Sequence, residues 1–173
     1  MIKGKNIYLR AVETEDVDFL YELENDQEIW KVSNTLLPFS RFDIEQYVLS
    51  SNHDIYVSRQ LRLMIIETES GNTVGCIDIF DFDPQNQRAG LGIFISKDYR
   101  KSGYATEALR LLIDYCFKTM HLHQLYCNIT SDNIGSVGLF VKNGFRYIGT
   151  KKDWTFFDGK FYDEDTYQLL NLN

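Results

Sequence analysis

Between residues 61 and 120 the sequence changes its hydrophobic period once, and that change restricts the fold more than any other feature. Leu61 to Thr68 and Thr73 to Phe82 read as strands joined by the turn Ser70-Gly71-Asn72. Arg88 to Ser96 follows across Asp83-Pro84-Gln85-Asn86 as a third strand. Then Ala105, Ala108, Leu109, Leu112, Ile113, Cys116, Phe117 and Met120 recur at helical spacing. A three-stranded antiparallel meander that runs into an amphipathic helix must lay that helix on its own sheet. Downstream, Leu125 to Ile129 is a strand, and Ile134 to Asn143 a short helix that Gly144 can end in the left-handed conformation. Phe145 to Gly149 starts another strand, and Asp158-Gly159 turns the chain into a last one near Tyr162–Leu172.

Upstream, Ile7 to Arg10 is a first strand. A helix over 15–25 is capped by Thr14, and a second over 40–51 opens with Ser40 and Asp43. Residues 26–39 have no clear period and are expected to be irregular, with Trp30, Leu36, Leu37 and Phe39 exposed. The resulting order, β-α-α-β-β-β-α-β-α-β-β, predicts one domain over 1–173. Its class is α/β of the α+β kind: a mixed, mostly antiparallel sheet with helices on both faces.

Composition narrows the partners. A net charge of −7 repels nucleic-acid phosphates, so no nucleic-acid partner is expected, and it favours a cationic substrate. The N-terminus lacks an apolar leader and no run of 18 apolar residues occurs, so neither a signal peptide nor a membrane partner is expected. Cys76, Cys116 and Cys127 form no C-x-x-C pair and lie in apolar segments, as buried reduced thiols of a cytoplasmic protein would. His53, His121 and His123 lack metal-ligand spacing, and no metal is expected; His121 and His123 sit where a helix C-terminus favours positive charge.

Chemistry concentrates in the stretch Ile93-Phe94-Ile95-Ser96-Lys97-Asp98-Tyr99-Arg100-Lys101-Ser102-Gly103-Tyr104-Ala105. An apolar strand enters a polar loop and a helix starts at once. Free backbone N–H groups and the helix dipole then converge on one point, which suits phosphate or pyrophosphate. Gly103 permits close backbone approach, and Arg100 and Lys101 add positive charge. The pattern is neither G-x-x-x-x-G-K-[ST] nor G-x-G-x-x-G.

Arg100-Lys101-Ser102-Gly103-Tyr104-Ala105 resembles the Q/R-x-x-G-x-G/A motif of the GCN5-related N-acetyltransferases (GNAT). Leu125-x-Cys127-x-Ile129-x-x-x-Asn133-x-x-Ser136-x-x-Leu139-Phe140-x-Lys142-x-Gly144-Phe145 resembles the family's second block. Leu9-Arg10…Asp16 is similar to the opening of the spermidine and ribosomal-protein N-terminal acetyltransferase branch. The resemblance covers nearly the whole chain and implies acetyl-CoA as co-substrate. It implies a V-shaped splay between the strands of 91–95 and 125–129. Backbone groups of Phe94 and Ile95 would pair with the pantetheine arm, with an N–H near Phe94 supporting the oxyanion. The amides from Arg100 through Lys101, Ser102, Gly103 and Tyr104 to Ala105 would hold the pyrophosphate. Asn133 would bind the arm from the other side, a role compatible with capping the helix at Ile134.

Two departures stand out. The family's tyrosine, which protonates the leaving thiolate, is matched by Phe140, so no catalytic residue is assigned. The glutamate that often follows the alanine at the start of the third meander strand is Gly90. Tyr104 and Tyr126 lie near in sequence, with core packing the plainer reading of either. Gly75 to Asp81 is similar to the strand of spermidine acetyltransferases with two acidic residues, which makes Asp78 and Asp81 candidates for substrate contact. Alternation sets Asp78 beside Cys76 and Phe80 and turns Asp81 away unless a bulge intervenes. Three functions follow: N-acetylation of a small amine such as a polyamine, acetylation of a protein N-terminus, or a catalytically silent acyl-CoA-binding module. The aromatics of 30–39 and 154–162 would cover substrate or form the surface of a homo-oligomer.

Overall fold

The computed structural model describes residues 1–33, 35–51 and 54–172; His53 lies outside the described residues. In chain order the elements are β1 (Ile2–Lys3), β2 (Ile7–Ala11), α1 (Val17–Glu24), α2 (Gln27–Ser33), α3 (Arg41–Ser50), α4 (Ile55–Ser58), β3 (Leu61–Glu67), β4 (Thr73–Asp83), β5 (Arg88–Ile95), α5 (Tyr104–Lys118), β6 (Gln124–Thr130), α6 (Ile134–Lys142), β7 (Arg146–Phe157) and β8 (Lys160–Leu170). The strands form one sheet in the order β1-β2-β3-β4-β5-β6-β8-β7. Every neighbouring pair is antiparallel except β5–β6.

Both faces of the sheet are packed. On one, Leu63, Ile65, Ile77, Ile79 and Leu91 meet Leu109, Leu112 and Cys116 of α5 and Phe140 of α6. On the other, Met64, Ile66 and Cys76 meet Leu20 and Leu23 of α1 and Ile44 and Val48 of α3. Successive β3 residues therefore enter opposite cores, which explains why its Leu63-Met64-Ile65-Ile66 run does not alternate with polar residues. Cys76, Cys116 and Cys127 are free and buried; burial pushes the thiols of Cys116 and Cys127 up to about 12.

The structure adds the short elements β1 and α4 to those expected, and it departs from or extends the expectation further at α2, β7 and the first helix cap. Residues 27–33 are not irregular but form α2. Strand β7 runs on to Phe157, because β8 pairs with it along its length as a long hairpin through Asp158-Gly159. Thr14 is not the cap of the first helix: it begins a 3-10 turn, Thr14–Asp16, that leads into α1. Asp16 stands at the N-cap position of α1, but its carboxylate serves other partners. It is 2% exposed, accepts the Glu13 N–H at 2.9 Å, and binds Arg10 through both oxygens at 2.6 and 2.8 Å. Such a paired, hydrogen-bonded carboxylate is tolerable in a core where a bare one is not.

Arg10→Met should leave Asp16 buried without its counter-ion and lower stability by about 3 kcal/mol. Urea denaturation measures this, and Arg10→Lys should recover only part of the loss because it cannot bind both oxygens.

Candidate active site

The site begins where two strands part. β5 and β6 pair only at Arg88↔Gln124, Ala89↔Leu125 and Gly90↔Tyr126. Beyond that, β5 stays paired with β4 to Ile95 and β6 with β8 to Thr130, so each side of the splay has its own support. The expected V between 91–95 and 125–129 is present. Its backbone lining differs in detail from expectation. The Ser96 N–H donates to the Val74 carbonyl across from β4. By the period of two, Phe94 also turns its N–H and C=O toward β4, and Ile93 and Ile95 turn theirs into the splay. The Ile95 carbonyl accepts the Arg100 Nε at 3.0 Å, in agreement. Phe94 thus gives the site its side chain, and the backbone that faces the splay is that of Ile93 and Ile95, the Ile95 carbonyl being already taken by Arg100.

At the wide end sits the polar loop. Lys101 (φ 65°) and Gly103 (φ 85°) are left-handed, and α5 starts at Tyr104. Among the described residues, the backbone N–H groups of Lys101 to Thr106 donate to no protein acceptor. A Cβ on Gly103 would meet nothing within 4 Å, so what the glycine supplies is conformation rather than room. Arg100, Lys101 and Lys142 line the cavity of about 440 Å³ beside this loop, with Gly103, Tyr104 and Ala105. Ser102 adds backbone only. The Tyr104 hydroxyl donates to Glu67, which raises its pKa. Six free donors, a helix N-terminus and three cations fit a diphosphate.

That cavity shares Ile95, Arg100, Ala105, Gly135 and Leu139 with a second, of about 430 Å³, inside the splay. Asn133 lines the latter while its side-chain oxygen accepts the Ser136 N–H at 3.2 Å, so it caps α6 and faces the splay at once. Ile29, Val32, Ile93 and Phe94 then lead into a third cavity, of about 310 Å³, on the α1 side of the sheet. Here Asp78 binds Arg62 at 2.8 and 2.9 Å, and Arg62 binds Glu24 at 2.5 Å. Burial disfavours the Arg62 charge; Asp78 more than offsets it, and the guanidinium pKa stands above its ordinary value. The three cavities make one continuous trough.

Of the candidates named from sequence, Ile95, Arg100, Lys101, Gly103, Tyr104, Ala105 and Asn133 gather at the end of the trough beside the polar loop, and Asp78 at the other. Asp81 does not join Asp78. It is left-handed (φ 47°) in the bulge between Phe80 and Asp83, and accepts the Tyr126 hydroxyl at 3.2 Å in a separate cleft. Burial, then Asp81, push the Tyr126 phenol up to about 12. Phe140 is 2% exposed, edge-on to Phe145 at 5.0 Å, and not among the residues lining the trough. Sequence reading missed Arg62, Glu24 and the whole of α2. That helix spans the splay: Glu28 pairs with Lys97 after β5 at 2.6 Å, and Lys31 with Asp132 before α6 at 2.5 Å. Lys31 also lies 3.4 Å over the Tyr162 ring. The available signal was the run of Glu22, Glu24, Asp26 and Glu28.

A family model described as "Acetyltransferase (GNAT) domain" matches residues 6–146. An N-acetyltransferase of Bacillus licheniformis, p20, is 27% identical and aligned over 96% of this chain and 93% of its own. The spermidine N(1)-acetyltransferase of Escherichia coli K12 is 25% identical over 93% of this chain and 84% of its own. Among solved structures, the spermidine N-acetyltransferase of Vibrio cholerae in complex with CoA and spermine superimposes with a TM-score of 0.87 at 22% identity, covering 96% of each chain.

Gly103→Val would force a β-branched residue into a left-handed backbone and tilt the free N–H groups. CoA affinity, read by calorimetry on the folded variant, should fall at least about tenfold.

Proposed function

The chain belongs to the GNAT acetyltransferases and is an acetyl-CoA-dependent N-acetyltransferase; from this we propose that it acetylates a primary amine of a small cationic molecule, with a polyamine such as spermidine as the finer reading. One observation carries the proposal: the trough joins a cationic, N–H-rich end to a roofed pocket holding two carboxylates against one guanidinium. The cofactor brings its own leaving group, a thiolate. The residues of this chain would do the rest. Lys101 to Thr106 would hold the diphosphate, and Ile93 and Ile95 would present backbone donors to the pantetheine arm and the thioester oxygen. Asn133 would fix the arm from the β6 side. The amine would enter past Ile29 and Val32, with Glu24 and Asp78 attracting its charge.

A lysine-like ammonium has a pKa of about 10.4 and must lose a proton before it attacks. The carboxylates at the mouth, Asp26 and Glu28, would receive it through water. α2 roofs the acceptor pocket with Ile29, Val32 and Ser33, which favours a small molecule over an extended peptide.

Acetyl-CoA consumption should be assayed across spermidine, spermine, diamines, aminoglycosides and N-terminal peptides. The reading expects turnover with the small cationic amines; turnover confined to peptides would replace it, and no turnover with any amine would favour a binding module. Asp78→Asn leaves Glu24 and Arg62 balanced, and should raise KM for the amine by about tenfold while KM for acetyl-CoA holds. For wild type, kcat/KM should rise about tenfold per pH unit between neutrality and the amine pKa, as the neutral fraction rises. A break near pH 7 would instead reveal a base on the protein.

A further inference from the structure

On the acceptor face, Cys76, Asp78 and Phe80 of β4 stand directly opposite Phe94, Gly92 and Gly90 of β5. The two glycines leave β5 bare beside the carboxylate and the ring, yet the space above them is used differently. Above Gly92 it is open: an added Cβ would touch only the edge of the Phe80 ring, at 3.9 Å, and Gly92 lines the acceptor pocket. Above Gly90 it is full, because an added Cβ would overlap three atoms of the same ring. Phe80 therefore lies across its neighbouring strand. Its far side meets Tyr126 of β6 edge-on at 5.8 Å. Past this aromatic pair lies the separate polar cleft of about 560 Å³, lined by Asp81, Asp83, Arg88, Gln124 and Thr166 among others.

We propose that Phe80 sets the length of the acceptor: its ring, laid over Gly90, is the end wall of the amine pocket and keeps it apart from the cleft beyond. This rests on the acetylation reading above and names the substrate class more narrowly. The reacting nitrogen has to lie by Ile93 and Phe94, where the acceptor pocket meets the splay. The carbon chain then runs over Gly92, and a second ammonium reaches Asp78 and Glu24, which together exceed Arg62 by one negative charge. Further methylenes meet the Phe80 ring. Short diamines and similarly short cationic amines fit; long polyamines do not fit at full length. Gly90, where the family resemblance expects glutamate, acquires a physical reason. No side chain at 90 can coexist with the ring, so this chain has an apolar wall in place of an acid.

The test is kcat/KM for acetylation of α,ω-diaminoalkanes from propane to decane, with spermidine and spermine, by wild type, Phe80→Leu and Phe80→Ala. Wild type should favour the short members. Phe80→Ala should raise the long-to-short ratio by about tenfold or more, with Phe80→Leu between the two. A second measurement needs no turnover: Gly90→Ala should lower Tm in wild type and not in Phe80→Ala, where the overlap is gone. An active Phe80→Leu or Phe80→Ala enzyme with an unchanged length profile overturns the wall. So does a Gly90→Ala penalty that is the same in both backgrounds. Wild-type failure to acetylate any amine, with acetyl-CoA bound, overturns the acetylation reading and this inference with it; normal turnover with an unchanged profile overturns this inference alone.

Discussion

Three residue pairs hold the two halves of the sheet together, and the site depends on their being so few. β5 and β6 meet at residues 88–90 and 124–126 and then separate. Strands twist, so two neighbours can diverge without bending if each has a partner on its other side. β4 supplies that partner for β5 and β8 for β6. Two inner sheet edges are thereby left with unpaired peptide groups in the middle of the molecule, where open edges are ordinarily avoided. The cost is tolerable because Arg100 satisfies the Ile95 carbonyl, and a hydrated gap, or a ligand carrying amides of its own, can satisfy the Ile93 groups and the Ile95 N–H. A fully paired sheet would be more stable and would have no trough.

Charge then gives the trough a direction. In a chain with net charge −7, Arg100, Lys101 and Lys142 gather at one end and Glu24 and Asp78 at the other, with Asp26, Glu28 and Lys97 between them. Under the proposed function, an anionic cofactor and a cationic acceptor would be drawn to opposite ends. α2 crosses between them, tied to β5 by Glu28–Lys97 and to the start of α6 by Lys31–Asp132. Exposed pairs of this kind add little stability. Their structural consequence is positional: they fix the roof of the acceptor pocket to both sides of the splay.

Legibility in the sequence followed the range of the interactions. The meander, α5 and the anion loop rest on local patterns, and the strand-loop-helix spacing around Gly103 was sufficient to locate them. Asn133 was legible for the same reason, as a helix cap. Arg62 was not: its partners Glu24 and Asp78 are 38 and 16 residues away, and nothing local distinguishes it from a solvated strand arginine. α2 was missed because its apolar residues, Ile29, Trp30 and Val32, are too few to show a period; Ile29 and Val32 line the trough, and only Ile29 of the three also packs against the core. Thr14 is not the cap because it begins a 3-10 turn, and Asp16, which stands at the N-cap position, gives its carboxylate to Arg10 and the Glu13 N–H instead. The bulge that separates Asp81 from Asp78 left no mark beyond an acidic residue at a positive φ.

Phe140 poses the remaining chemical question of the proposed reaction, the proton for the leaving thiolate. Its ring is a core element, packed edge-on against Phe145. A hydroxyl added there would be buried and would cost about 1–3 kcal/mol without a partner. Neither nearby tyrosine replaces it: Tyr104 is bound to Glu67 at the cofactor end, and Tyr126 to Asp81 in the separate cleft. An ordinary thiol has a pKa of about 8.5, close enough to neutrality for a thiolate to depart without a proton in hand. The demanding proton is the other one, on an amine whose pKa is about two units higher. Under this reading selection at position 140 acts on packing, and the burden of catalysis falls on the acceptor side of the splay, where the amine must be captured as a cation and attack as a base.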